Sequence, residues 1–230
     1  MRHPLNAEAP SDPGTDGGIE SMDAIQVRRA MLADAAGIAR VQVATWRTTY
    51  RGLIPDAYLD AMEEEPRAKM WEEVIARDRG DGASSFVMVA VTAGTEPGHR
   101  PVSGPSSAAT GEERGRAIVG FAAAGPERSG DPEFRGELGA LYVLKEYQGR
   151  GLGRRLVTAA VRELLGRGHA SMLVWVLAQN PYRRFYESLG GVLVRSRTIE
   201  IGGVALEEWG YGWPDLEGLL RRLEGEGQGA

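Results

Sequence analysis

Gln148-Gly149-Arg150-Gly151-Leu152-Gly153 is the stretch around which the rest of the chain arranges itself. Before it, Leu138, Ala140 or Leu141, and Val143 form a short apolar alternation that predicts a strand. After it, Leu152, Leu156, Ala160 and Leu164, with Val157, Val161 and Leu165, recur at helical spacing. Arg154, Arg155, Arg162 and Arg167 take the opposite face of that helix. Three glycines therefore stand where a strand hands over to a helix. Glycine there permits positive φ and a close ligand approach, and the free amides of the helix start favour a phosphate or pyrophosphate.

The type of anion cradle is narrowed by what the loop lacks. A Walker loop needs Gly-Lys-Ser/Thr, and Arg154-Arg155-Leu156 does not supply it. The dinucleotide fingerprint needs G-x-G-x-x-G, and no third glycine stands at that offset.

A second motif lies downstream. Ser171 to Leu177 is almost wholly apolar and predicts a buried strand beside the one before the loop. Asn180-Pro181 then signals a helix start, and the short helix Tyr182 to Leu189 carries Phe185-Tyr186 and closes at Gly190-Gly191. Gln148-x-x-Gly151-x-Gly153 after Glu-Leu-Gly-Ala-Leu-Tyr-Val, together with Asn180 followed by Phe185-Tyr186-Glu187 and Leu189-Gly190, resembles the GCN5-related N-acetyltransferases. The resemblance runs from about Ile25 to Tyr211. Asn180 to Tyr186 spans six positions where many members have seven, a departure that touches Asn180 more than Tyr186.

The resemblance implies a fold: one α/β (α+β) domain with a mixed, mostly antiparallel sheet of about seven strands and helices on both faces. It also implies direct transfer of an acetyl group from acetyl-CoA, the acyl donor, to a primary amine. In the family the loop holds the pyrophosphate of coenzyme A, which assigns Gln148, Gly149, Arg150, Gly151, Gly153 and Arg154, with Asn180, to that ligand. Backbone amides at Leu141, Tyr142 and Val143 would serve the thioester and pantetheine. Tyr186 would be the general acid to the departing thiolate, since a phenol with a pKa of about 10 keeps its proton at neutral pH. Glu137, at the head of the strand, is the expected base, ahead of Asp131 and Glu133. The segment Thr45 to Pro55 looks like the family's first helix and loop, which makes Trp46 and Tyr50 a wall of the acceptor site.

Each assignment has a plain structural alternative. Trp46 and Tyr50, four apart, can equally pack a helix onto the sheet. Tyr186 can be a core tyrosine, Glu137 a strand-end carboxylate, and Arg150 and Arg154 the solvated start of a helix. Two alternatives stand for the whole: a non-catalytic acyl-CoA-binding sensor, or an O- or longer-chain acyltransferase on the same fold.

Composition bounds the rest. The 230 residues fit one ordinary domain with extras, and the formal net charge of −5 argues against non-specific nucleic-acid binding. With no cysteine there is no disulfide or thiolate site, and no metal is implied. No apolar run is long enough to span a membrane and Met1 to Glu20 has no signal-peptide centre, so a cytoplasmic protein is expected. A small-molecule or peptide amine is the expected partner, and a homodimer is compatible with the resemblance.

Along the chain, residues 1–23 read as a disordered leader, 24–217 as the acetyltransferase domain, 92–116 as a flexible insertion and 218–230 as a frayed tail. Ile25 and Val27 begin a strand, and Asp34 is the expected N-cap of a helix reaching Tyr50. Pro55 to Met62 and Pro66 to Arg77 predict helix, the latter burying Met70, Trp71, Val74 and Ile75. Phe86 to Val91 and Ala117 to Ala124 predict strands, and Val192 to Tyr211 a hairpin turning at Gly202-Gly203.

Overall fold

A computed structural model describes residues 25–92 and 116–225. The expected leader, and the expected insertion apart from its end residues Thr92 and Arg116, lie outside the described residues. Seven strands form one sheet: β1 (Gln26–Arg29), β2 (Phe86–Val91), β3 (Ile118–Pro126), β4 (Gly136–Val143), β5 (Met172–Leu177), β6 (Val192–Ile201) and β7 (Val204–Trp213). Their spatial order is β1-β2-β3-β4-β5-β7-β6, and every neighbouring pair is antiparallel except β4 and β5. That parallel pair needs a crossover, and the helix α4 (Leu152–Gly166) supplies it.

Helices α1 (Ala35–Thr49), α2 (Asp56–Asp60) and α3 (Glu64–Ala76) lie on one face. On the other are α4, α5 (Arg183–Ser188) and α6 (Leu216–Gly225). Leu152, Leu156, Ala160 and Leu164 of α4 are buried against the sheet, so the helical stripe read in the sequence is the stripe that packs. Gly202 and Gly203 both have positive φ (61° and 80°), which suits the tight turn between β6 and β7. Among the described residues, no helix is long and apolar enough to cross a membrane.

Three local expectations are corrected. Asp34 stands at the N-cap of α1, as expected, but its side chain makes no capping bond there. It accepts instead from the backbone of Met31 at 2.7 Å and from both terminal nitrogens of Arg28, closing the short 3₁₀ turn that precedes the helix. Met70 is 38% exposed, because at 100° per residue the buried stripe of α3 runs through Ala68, Trp71 and Val74–Ile75 and leaves Met70 outside. The expected frayed tail from residue 218 is helix as far as Gly225, for Leu216, Leu219 and Leu223 fall on one face and are buried in the core beside α4.

Two irregularities position the site. The β3–β4 register pairs Ala124 with Leu138 but Ala123 with Ala140, which leaves Gly139 as an extra residue, a β-bulge. The β4–β5 ladder consists of two pairs, Gly136 with Met172 and Glu137 with Leu173. Beyond them the strands part, and a slot opens between their C-terminal halves.

Candidate active site

A cavity of about 440 Å³ occupies this slot. Residues of β4 from Leu138 to Val143 line one wall and Val174, Trp175 and Val176 of β5 the other. The glycine loop closes one end. Gly149 and Gly151 have φ of 72° and 79°, a region in which a side chain would be strained. A Cβ added at either would meet nothing within 4 Å, so the loop backbone is open to a ligand. Gly151 is the N-cap of α4, and the first-turn amides that follow it have no intrahelical acceptor. Gly153 differs: it lies inside α4, and a Cβ there would touch the Phe185 ring of α5 at 3.4 Å, an ordinary contact distance. The parted strands and the open, amide-lined loop fit a long, thin ligand with a pyrophosphate, as coenzyme A has.

Gln148 acts through its side chain as well. Its Nε2 donates to Val143 O at 2.9 Å, and its Oε1 accepts from Tyr182 Oη at 2.8 Å. The end of β4 is thus tied to the start of α5 beside the cavity.

Four tyrosines line the cavity, and three of them, Tyr50 just after α1, Tyr142 of β4 and Tyr186 of α5, are set deeper than Tyr182. Asn180 Nδ2 donates to Tyr50 Oη at 3.3 Å, and Trp46 Nε1 donates to Tyr142 Oη at 2.9 Å. Burial pushes the Tyr186 hydroxyl well above the usual phenol range, with the nearby Tyr142 adding to it. Burial also raises Tyr50 well above its ordinary value, with smaller contributions from Tyr142, Tyr186 and Glu208. Tyr142 is raised chiefly by burial, against the hydrogen bond from Trp46 and the positive charge of Arg67. All three therefore hold their protons at neutral pH.

The expected residues divide cleanly. Leu141, Tyr142, Val143, Gln148, Gly149, Gly151, Gly153, Arg154 and Asn180 line the cavity, as do Tyr50 and Tyr186, whereas Arg150 does not. Trp46 does not line it either: its indole packs edge-on to Tyr50 and props Tyr142 from behind. Glu137 is also outside the lining. It is 5% exposed and accepts from Arg128 through the backbone N at 3.2 Å, Nε at 3.0 Å and Nη2, so both carboxylate oxygens are engaged where the strands are still paired. Asp131 and Glu133 are tied to Arg195.

Thr45, Thr49, Trp175 and Tyr182 line the cavity without having been singled out from the sequence. Trp175 alone carried a signal. It alternates with Val174 and Val176 and so faces the α1 side, with the Arg197 guanidinium 3.9 Å above its ring.

Similarity to known proteins points the same way. Residues 128–199 match the family model described as FR47-like protein. The uncharacterized N-acetyltransferase YuaI of Bacillus subtilis is 36% identical over 199 residues, which covers 86% of this chain and 98% of that protein. Among solved structures, PaiA N-acetyltransferase of Thermoplasma acidophilum in complex with coenzyme A superposes with a TM-score of 0.53 at 16% identity, covering 80% of this chain and 97% of that one. YncA of Salmonella typhimurium, solved with acetyl-CoA, gives a TM-score of 0.54 at 21% identity over 84% of this chain and 94% of that one. The structural likeness establishes the fold, and the sequence relative, matched over nearly its full length, establishes the lineage: the chain belongs to the GCN5-related N-acetyltransferase family.

Proposed function

We propose that this acetyltransferase passes the acetyl group of acetyl-CoA directly to a primary amine, with Tyr186 as general acid. The amine nitrogen bonds to the thioester carbonyl carbon, the carbon–sulfur bond breaks, and the sulfur takes the Tyr186 hydroxyl proton. The supporting observation is the state of that hydroxyl. It lies in the cavity wall, burial keeps it protonated, and no hydrogen bond to another described side chain commits its proton.

Parting of β4 from β5 aligns the reaction. An extended donor held by the glycine loop at one end presents its thioester between the strands, and the acceptor approaches from the α1 face past Thr45, Thr49 and Tyr50. No Asp or Glu is among the described residues that line the cavity. One ammonium proton therefore leaves to water before attack, and the second proton that the nitrogen sheds as the amide forms returns through water to the Tyr186 oxygen.

Tyr186→Phe tests the assignment. The ring and its packing against Phe185, Tyr211 and Trp213 are kept while the hydroxyl is lost. We expect acetyl-CoA affinity by calorimetry to stay within about twofold while kcat falls by about 10²-fold or more. An unchanged kcat would remove the acid role.

A further inference from the structure

The acceptor half of the cavity has a surplus of hydrogen-bond donors whose direction can be assigned. Asn180 Oδ1 accepts from the backbone N–H of Tyr182 at 2.9 Å, which only the amide oxygen can do. Its Nδ2 must then face Tyr50, so in that contact Asn180 donates and the phenol oxygen accepts. Trp46 can only donate, so Tyr142 Oη is likewise the acceptor of its bond. A phenol has one proton. With a nitrogen donor seated on each oxygen, the protons of Tyr50 and Tyr142 turn away from those partners, and neither donates to any described residue. Both tyrosines line the cavity.

Beside them the side-chain acceptors are the hydroxyl oxygens of Thr45 and Thr49, with no charged acceptor among the described lining residues. The side-chain oxygens of Gln148 and Asn180 are taken by Tyr182, and no carboxylate lines the cavity. The nearby formal charges are mixed: the negative field of Glu208 reaches both hydroxyls, although Glu208 is itself paired with Arg197. On the α1 face Arg128 is paired with Glu137, Arg195 with Asp131, and Arg197 with Glu208. Arg67 has no acidic partner among the described residues. It is half-buried, with its guanidinium 5.8 Å from the Trp46 ring, and its field reaches the Tyr142 hydroxyl.

We propose that the acceptor is a small amine that also carries a carboxylate, as a free amino acid does, with Tyr50 and Tyr142 donating to that group and Arg67 supplying the positive field. An oxygen-free polyamine would bring only donors to a wall of donors, and its second ammonium would meet a cation without a counter-charge. The inference rests on the amine-acetylation reading but makes a separate claim, about which amine is bound.

The test uses reaction products, so that it does not depend on turnover. The coenzyme A complex of the full chain is titrated with the N-acetyl derivatives of the common amino acids, each as free acid and as carboxamide, and with N-acetylated alkyl diamines. Binding is read by calorimetry and by the fluorescence of Trp46, which lies between Tyr142 and Arg67. The expected result is at least one acid bound about tenfold or more tighter than its amide, as for a charge-assisted hydrogen bond. That preference should shrink toward unity in Tyr50→Phe, in Tyr142→Phe and in Arg67→Ala, the last a half-exposed helix position whose loss leaves the core intact. The proposal is overturned if no pair shows a preference, if a diamine derivative binds tightest, or if the preference survives all three substitutions. Failure of the Tyr186→Phe prediction with the carboxylate preference intact would remove the acid assignment alone.

Discussion

Replacing Glu137 by Gln separates two roles that the sequence left open for this carboxylate. Its neighbour Arg128 approaches it through three nitrogens, and Glu137 itself is 5% exposed. Breaking a fully buried pair costs about 3–5 kcal/mol, but the Arg128 side chain is 70% exposed and water can solvate it when the charge opposite is lost. Gln keeps the shape and one accepting oxygen, and turns its amide nitrogen toward a donor. Together these suggest a loss of about 1 kcal/mol, which with a urea m-value of about 2 kcal/mol per molar is a midpoint shift of about 0.5 M. Catalysis should hardly change. Loss of a general base costs about 10²–10⁴-fold, whereas we expect kcat within about threefold of wild type, measured as thiol release with the amine that the wild type turns over fastest. A hundredfold fall in kcat with an unmoved urea midpoint would refute the structural role and return Glu137 to the chemistry.

Two further outcomes follow from burial. Tyrosine must be protonated to act as donor, and a raised pKa extends the protonated form to higher pH, so kcat/KM should climb as the acceptor amine loses its proton and then level off. No descending limb should appear up to about pH 10, the ordinary tyrosine value, because Tyr50, Tyr142 and Tyr186 are all held above it; a decline beginning below about pH 9 would contradict this. In α6, Leu219 is 0% exposed, so Leu219→Ala should lower stability by about 2–4 kcal/mol in chemical denaturation. Arg221→Ala, at a side chain 71% exposed in the same helix, should stay within about 0.5 kcal/mol, and equal silence of the two would mean that the helix does not dock.

What could be read from the chain was whatever depends on period and on local backbone chemistry. The stripe of α4, the wholly apolar run of β5 and the paired glycines of the hairpin each specify their own element, and together they name the topology. The loop was legible because it stands together with the strand before it and the motif from Asn180 to Gly190; glycines alone often just end strands. Partner choice was not legible. Glu137 heads the strand that bears the cofactor site, and nothing local says that Arg128, nine residues earlier, will occupy both of its oxygens. The tail misled for a different reason: Leu216, Leu219 and Leu223 keep a helical period, but Gly218 between them lowers the apparent propensity, and burial beside α4 outweighs it. Thr45 and Thr49 face the cavity only because α1 ends over the slot, a matter of docking rather than sequence.

The bulge at Gly139 shows how one residue joins these two kinds of information. In the sequence, the alternation through this strand can be carried by Ala140 or by Leu141 but not by both, and that ambiguity is itself a break of period. In the structure, Leu138 packs on the α4 side, where an unbroken strand would also send Ala140 and Tyr142. The extra residue shifts the phase: Leu141 and Val143 go to the α4 side, and Ala140 and Tyr142 pack on the α1 side. Without the shift Tyr142 would point toward α4, beyond the reach of Trp46. The same residue stands just past Glu137, the last β4 residue paired with β5, so the place where the strand changes phase is also the place where the slot begins. The phase of the strand and the start of the slot therefore meet at one inserted position, which turns Tyr142 to the α1 side of the cavity.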